Sequence, residues 1–252
     1  MNRTLALVPA LAAALMLSGC DKVVDATLGA GVKDYLLRHP EVLRDVSQAL
    51  AQKEMAEGEK TAAVEHQETL KALARLRSQI ERDPRDFVLN PAGRITVVEF
   101  FDYKCGYCKL IAPEILQLAA DNPDVRVVLK EFPIFGEVSD TAAKLALTPQ
   151  AKAKGLQFYN ALMAEEALDE AGLDRIMREL GIDPQEARRS AASPEVEKHI
   201  ADVRGLAQAL NLKGTPAFVV GNDYVNSADM EWVKGAIANA RTTAGGRPAS
   251  KG

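Results

Sequence analysis

The sequence predicts an α/β domain: a mixed sheet flanked by helices, with a helical block inserted into it and a helical segment ahead of it. Three observations predict it. The run Ile95-Thr96-Val97-Val98-Glu99-Phe100-Phe101 is rich in β-branched and aromatic residues and gives way, after a polar turn, to a stretch of helical periodicity. A second strand, VRVVLKEF over 125–132, follows the turn Asp121-Asn122-Pro123-Asp124. Beyond a long helical stretch, Ala217-Phe218-Val219-Val220, the turn Gly221-Asn222-Asp223 and Tyr224-Val225 read as a hairpin backed by a helix over 230–240. Without the helical block the order is βαβ followed by ββα.

The chain has 252 residues, 47% hydrophobic and 26% charged, enough for one or two domains with a core. A formal charge of -4 carries no basic excess and argues against nucleic acid as a partner. Residues 1–19 read as an export signal: Arg3 gives a positive start, and 5–17 is apolar but short for a membrane span. Leu17-Ser18-Gly19-Cys20 resembles the lipobox of bacterial lipoproteins, where cleavage leaves the cysteine as a lipidated N-terminus. An ordinary secretory signal is the alternative. Asp21 resembles an inner-membrane retention signal. Either leader sends the chain to an oxidising compartment, the periplasm, membrane-anchored or soluble. The folded part then keeps two cysteines, Cys105 and Cys108; one close pair points to chemistry rather than to a disulfide scaffold.

Residues 20–31 are small and polar and read as a flexible tether. In the segment 32–83, Leu36, Leu43 and Leu50 fall on one helical face with Val46, and Pro40 marks a break or a restart. A charged helical pattern continues with a sparse stripe of Val64, Leu70, Leu73, Leu76 and Ile80 and a weak point at Gly58. Such a stripe builds no core alone, so residues 32–82 predict homo-oligomerisation, with a spacer arm docked on its own domain as the alternative. The main domain spans 84–241. Phe87-Val88-Leu89 is its first short strand, and the helix after Cys105 carries Pro113 as a kink. The inserted block, about 139–212, divides into helices near 141–147, 151–163, 169–180 and 194–210. The polar, Gly-rich tail 242–252 reads as disordered.

Cys105-Gly106-Tyr107-Cys108 sits where strand hands over to helix. A structural zinc site needs more ligands than one pair supplies. No second pair exists, and His39, His66 and His199 lack ligand spacing and read as surface helix residues. Copper(I), which two thiolates can hold, stays open. A redox role explains the asymmetry of the pair. Cys105, exposed at a helix N-terminus, gains a stabilised thiolate and attacks a substrate disulfide; Cys108, about one turn further in, resolves the mixed disulfide. Lys104 and Lys109 either add positive field or are simply solvated. Glu99 is either a buried acid able to relay the Cys108 proton or a residue on a partly exposed edge. Pro216 has no N–H for the sheet it precedes; in cis it presents the Thr215 backbone to a substrate strand, although most X-Pro bonds are trans.

Phe100-Phe101-Asp102-Tyr103-Lys104-Cys105-Gly106-Tyr107-Cys108, Glu131-Phe132-Pro133-Ile134 and Gly214-Thr215-Pro216-Ala217 together resemble the thioredoxin superfamily. Within it the chain resembles the DsbA family, its ScsC-like branch above all, and Val32-Lys33-Asp34-Tyr35-Leu36 through Leu43 resembles that branch's helical prelude. The resemblance implies a thioredoxin fold with an inserted helical domain. It makes Cys105 the nucleophile, Cys108 the resolving thiol, Glu99 a buried acid and Pro216 a cis-proline facing the pair. Thr215, Pro216 and Tyr107 become the substrate-binding residues. No cofactor beyond the cysteine pair is implied; the implied partners are exported proteins with thiols or disulfides and a membrane redox protein. Gly106-Tyr107 departs from the Pro-His dipeptide of strong oxidases and is similar to the isomerase DsbC, as is Thr215. The glycine often found near the last helix is missing from Val225-Asn226-Ser227-Ala228. The expectation is an isomerase or reductase. A dithiol oxidase and a non-catalytic copper(I)-holding or chaperone module are the rivals.

Overall fold

The structure, a computed structural model, describes residues 20–245. The leader and the tail beyond Gly245 lie outside the described residues, so the export-signal expectation falls there. The chain divides between Ala63 and Val64 into two compact units.

The first unit is helical. Helix α1 (Cys20–Arg38) includes the stretch expected as a flexible tether, so residues 20–31 are helical instead. His39 N–H closes on Tyr35 O at 2.9 Å, and α2 (Pro40–Glu81) starts at once. Pro40 takes the first position of α2, where a missing N–H leaves no bond unmade. Gly58 does not interrupt α2. Val32, Leu37, Leu43, Val46, Leu50 and Met55 are each more than half exposed.

The second unit begins inside α2, which corrects the expected boundary at residue 84. Thr69, Ala72, Leu73 and Ile80 of α2 are buried. The three apolar ones join the core with Val98, Phe100 and Val128. The stripe at Leu70, Leu73, Leu76 and Ile80 therefore faces its own domain. The sheet holds β1 (Phe87–Leu89), β2 (Ile95–Phe101), β3 (Val125–Glu131), β4 (Ala217–Val220) and β5 (Asp223–Val225) in the order β1-β3-β2-β4-β5. β2 and β3 are parallel, joined by α3 (Gly106–Asp121); the other pairings are antiparallel. Every residue of β2 and β3 is buried, which is why both read as near-continuous apolar runs. Val97 and Phe101 face a core shared with α3, the inserted helices and the last helix; Val98 and Phe100 face α2.

The insertion has six helices: α4 (Glu137–Ala146), α5 (Pro149–Lys154), α6 (Leu156–Ala164), α7 (Glu170–Glu179), α8 (Pro184–Ala191) and α9 (Pro194–Ala209). Two features differ from expectation. Gly155, at φ 54, splits the expected 151–163 helix in two, and the short α8 was not expected. Its start is nonetheless signalled: Thr148, Asp183 and Ser193 cap α5, α8 and α9, each with proline next. Helix α10 (Met230–Gly245) carries helical structure into the start of the tail expected as disordered.

Candidate active site

β2 ends at Phe101, and the Asp102 carboxylate organises the turn beyond it. One oxygen accepts the Lys104 N–H at 2.7 Å. The other accepts the N–H groups of Ile134 (2.7 Å) and Phe135 (3.1 Å) and the Ser139 hydroxyl. The turn before the cysteines is thereby clamped to the loop after β3. Cys105 N–H donates to Asp102 O at 3.1 Å, and Cys105 caps α3 with an extended backbone. Both cysteines are free thiols.

Cys105 is buried to 3% exposure rather than exposed. The reason is the loop ahead of β4: Cys105 Sγ donates to Thr215 O at 3.2 Å, and the Thr215–Pro216 bond is cis. The Cys105 thiol is pulled down to about 5, first by the hydrogen bond from the Cys108 thiol, against the cost of burial, and then by the Thr215 side chain and the Cys108 and Tyr107 N–H groups. Cys108 is fully buried and held well above the ordinary thiol range, by its hydrogen bond to Cys105, by burial and by the Glu99 charge. Glu99 is 0% exposed and both its oxygens lack a partner among the described residues. Burial, then the Cys105 charge, pushes its carboxyl up to about 8. The register sets Phe100 opposite Ala217 and Glu99 opposite Phe218, so the central strand carries the acid beside the proline loop. Cys105, Cys108, Glu99 and Thr215-Pro216 are thus brought together. Tyr107 stands 67% exposed at the rim, with Leu110 one turn on. Cys20 is the first residue of α1.

The model of the DSBA-like thioredoxin domain matches residues 96–238. The chain belongs to this family. A second model, the copper resistance protein ScsC N-terminal domain, matches residues 26–57. The thiol:disulfide interchange protein DsbA of Bordetella pertussis is 30% identical over 141 residues, 54% of this chain and 67% of that protein. A Na(+)/H(+) antiporter NhaA 3 of Salinispora tropica is 28% identical over 66% of this chain, which spans 26% of that protein's length. Among solved structures, a thioredoxin-like oxidoreductase from Silicibacter pomeroyi is 41% identical with a TM-score of 0.63, covering 66% of this chain and 98% of that one. Salmonella enterica Typhimurium BcfH is 28% identical with a TM-score of 0.59, covering 88% of this chain and 98% of that one. The chain is a DsbA-like, ScsC-like member of the thiol-disulfide oxidoreductases with a thioredoxin fold.

Around this DSBA-like dithiol the structure adds residues that local pattern did not mark. Lys109 is half-buried, and the Cys108 charge acts on it. Its ammonium donates to Leu162 O (3.0 Å), Met163 O (3.4 Å) and Glu165 O (2.6 Å), closing the C-terminal end of α6. Lys104 is exposed. Tyr103 Oη donates to Glu131 Oε1 at 2.9 Å, both groups buried. His199, expected at the surface, is buried beside Asp86 at 3.2 Å, and Asp86 also pairs with the buried Lys130 at 2.5 Å. That cluster involves Lys130, whereas its strand neighbour Glu131 points to the opposite face. Among the described residues no group of three or more His, Cys, Asp or Glu is placed to hold a metal.

Proposed function

We propose that the chain is an exported thiol-disulfide oxidoreductase that isomerises or reduces wrong disulfides in exported proteins. The observation that supports it is the asymmetry of the pair: an acidic thiol at a helix N-terminus, backed by a buried high-pKa thiol and a buried acid. At neutral pH Cys105 is a thiolate. It attacks one sulfur of a substrate disulfide; that bond breaks, a Cys105–substrate disulfide forms, and the second substrate sulfur leaves and takes a proton from solvent. Once Cys105 is tied up in the mixed disulfide its charge no longer raises Glu99, so more of Glu99 is ionised; the ionised carboxylate takes the Cys108 proton as Cys108 attacks Cys105 Sγ, freeing the substrate thiolate and leaving a Cys105–Cys108 disulfide. In isomerisation a substrate thiolate displaces Cys105 first, and the pair returns reduced without net electron transfer.

Thr215 and Pro216 receive the substrate backbone next to Cys105, and Tyr107 and Leu110 offer it an exposed apolar rim. Cys105 at about 5 is less acidic than the ~3.5 of the strongest oxidase, which favours isomerase over oxidase. The chain works in the periplasm, anchored through a lipidated Cys20, and a membrane redox partner restores its dithiol. The unpartnered apolar residues of the first unit hold a second copy, narrowing the oligomerisation segment from 32–82 to residues before Val64. Reactivation of a scrambled disulfide protein tests this reading. The full-length chain restores activity, Cys105→Ser does not, and a full-length chain that restores none contradicts it. The ScsC N-terminal match supports a second reading, copper(I) held by the two thiols. One retained equivalent of copper with no disulfide turnover would establish that reading over the first.

A further inference from the structure

Large apolar side chains left in water are few on the second unit, and they are not scattered. Among its described residues they are Val64, Tyr107, Leu110, Ile134, Phe135 and Leu156. Tyr107 and Leu110 belong to the start of α3. Ile134 and Phe135, 41% and 49% exposed, belong to the loop that follows β3. The topology brings that loop to the redox turn. β2 lies between β3 and β4. Phe101 is opposite Glu131 and Phe100 opposite Ala217, so the ends of β2 and β3 and the start of β4 share one edge of the sheet. Phe132 N–H donates to Phe101 O at 2.9 Å where the two parallel strands end. The redox turn therefore stands between two walls, the Thr215-Pro216 loop and the segment Pro133-Ile134-Phe135-Gly136. Two strand spacings, about 10 Å, separate them.

The second wall is held in place from beneath. The Asp102 carboxylate, 1% exposed, accepts the N–H groups of both Ile134 and Phe135, at 2.7 and 3.1 Å. The buried Ser139 hydroxyl donates to the same oxygen, and the other oxygen holds the Lys104 N–H at 2.7 Å. One buried side chain thus fixes both the turn before Cys105 and this lip. Pro133 is buried and sets its own φ. Gly136 turns the chain at φ 90, in the left-handed region that favours glycine. Beyond the lip the surface drops into an open groove of about 640 Å³, lined by Pro133, Ile134, Thr141 and Arg204 among others. A backbone fixed so as to point an isoleucine and a phenylalanine at water is unfavourable unless something covers them. A surface ordered in advance also binds without the cost of ordering itself.

We propose that Ile134 and Phe135 determine specificity, receiving an apolar side chain that flanks the substrate cysteine while Thr215 and Pro216 receive the substrate backbone. The proposal rests on the exchange reading given above and names the substrate class: unfolded or wrongly paired chains whose cysteines lie among apolar residues. Cysteine is among the residue types most often buried in folded proteins, so the segments around it belong to cores. Such a segment is accessible only while its protein is not yet folded. The lip therefore lets Cys105 favour non-native disulfides over exposed native ones and over small disulfides. Tyr107 and Leu110 cover the α3 side of the turn; Ile134 and Phe135 add the β3 side.

The test uses the reduced full-length chain and three disulfides. One is a symmetric dimer of a short peptide with leucine on both sides of its cysteine, the second is the same dimer with serine there, and the third is oxidised glutathione. Acid quenching and mass analysis read the rate at which Cys105 forms each mixed disulfide. The wild type should attack the leucine dimer about tenfold faster than the serine dimer. Ile134→Ser combined with Phe135→Ser changes two positions that are already exposed and should abolish that preference. Glutathione, which brings no apolar flank, should react as before, with the Cys105 thiolate absorbance titration and the mass by light scattering unchanged. A wild type without the preference, or a variant that keeps it, overturns the proposal. A variant that slows all three probes alike also overturns it, by marking a disturbed turn. So does a variant that changes oligomeric mass and keeps the preference, which would make the lip an interface between copies. A wild type that attacks none of the three overturns the exchange reading and the lip with it.

Discussion

Cys105 and Cys108 lie one helical turn apart and have opposite chemistry because of what each touches. Cys105 receives hydrogen bonds from Cys108 and from the first N–H groups of α3; Cys108 faces the Glu99 charge in the core. Alkylation of the reduced protein by iodoacetamide should therefore fall off with a midpoint near pH 5, at Cys105 alone. Because the folded value is depressed, the thiolate's stabilising contribution to the reduced fold is complete above pH 9 and is lost as pH falls through about 5. Glu99→Gln should keep that midpoint near 5 and slow resolution of a mixed disulfide by about 10²-fold, read by quench-flow. At this scale the sequence was informative where partners are close in the chain. Cys105 and Cys108 announce themselves by spacing, and the cis bond before Pro216 by resemblance. Asp102, Lys109 and Glu131 do not, because their partners lie many residues away and only the fold brings them together. His199 misled for the same reason: on a charged helix it reads as solvated, and Asp86 beneath it is invisible until β1 is placed.

At the scale of elements, two clamps hold the redox helix. Asp102 ties its leading turn to the loop after β3, and Lys109 closes the end of α6 onto its first turn. Lys109→Met leaves three carbonyls without this donor and should lower stability by about 1–3 kcal/mol, read as a lower urea midpoint at unchanged slope. An unchanged midpoint would show that these carbonyls find water instead. Strands and the redox helix were legible because β2 and β3 are buried on both faces and α3 is amphipathic. The insertion was legible less finely. The Gly155 break needs a positive φ that the apolar pattern around it conceals, and α8 is short and almost wholly polar outside Ala187 and Ala191.

For the whole molecule, the division inside α2 separates the redox unit from the first helical unit. The sequence pattern showed the apolar stripe but not which part of it the chain covers itself: Leu73 and Ile80 are buried in the core, whereas Leu43, Val46 and Leu50 are exposed. Deleting residues 20–63 should leave a folded, monomeric dithiol that still reduces a small disulfide but loses reactivation of scrambled protein; light scattering and the two assays check it. An equally active monomer would remove the role given to a second copy. The reduction potential of the Cys105–Cys108 pair tests the account most directly. A strong oxidase with a thiol near ~3.5 sits near about -120 mV. Cys105, at about 5, stabilises the reduced form less, by roughly 2 kcal/mol or about 45 mV for two electrons. Equilibration with glutathione should accordingly give about -165 mV. A value at or above about -120 mV, or a pair that forms no disulfide in the assay, would contradict the account.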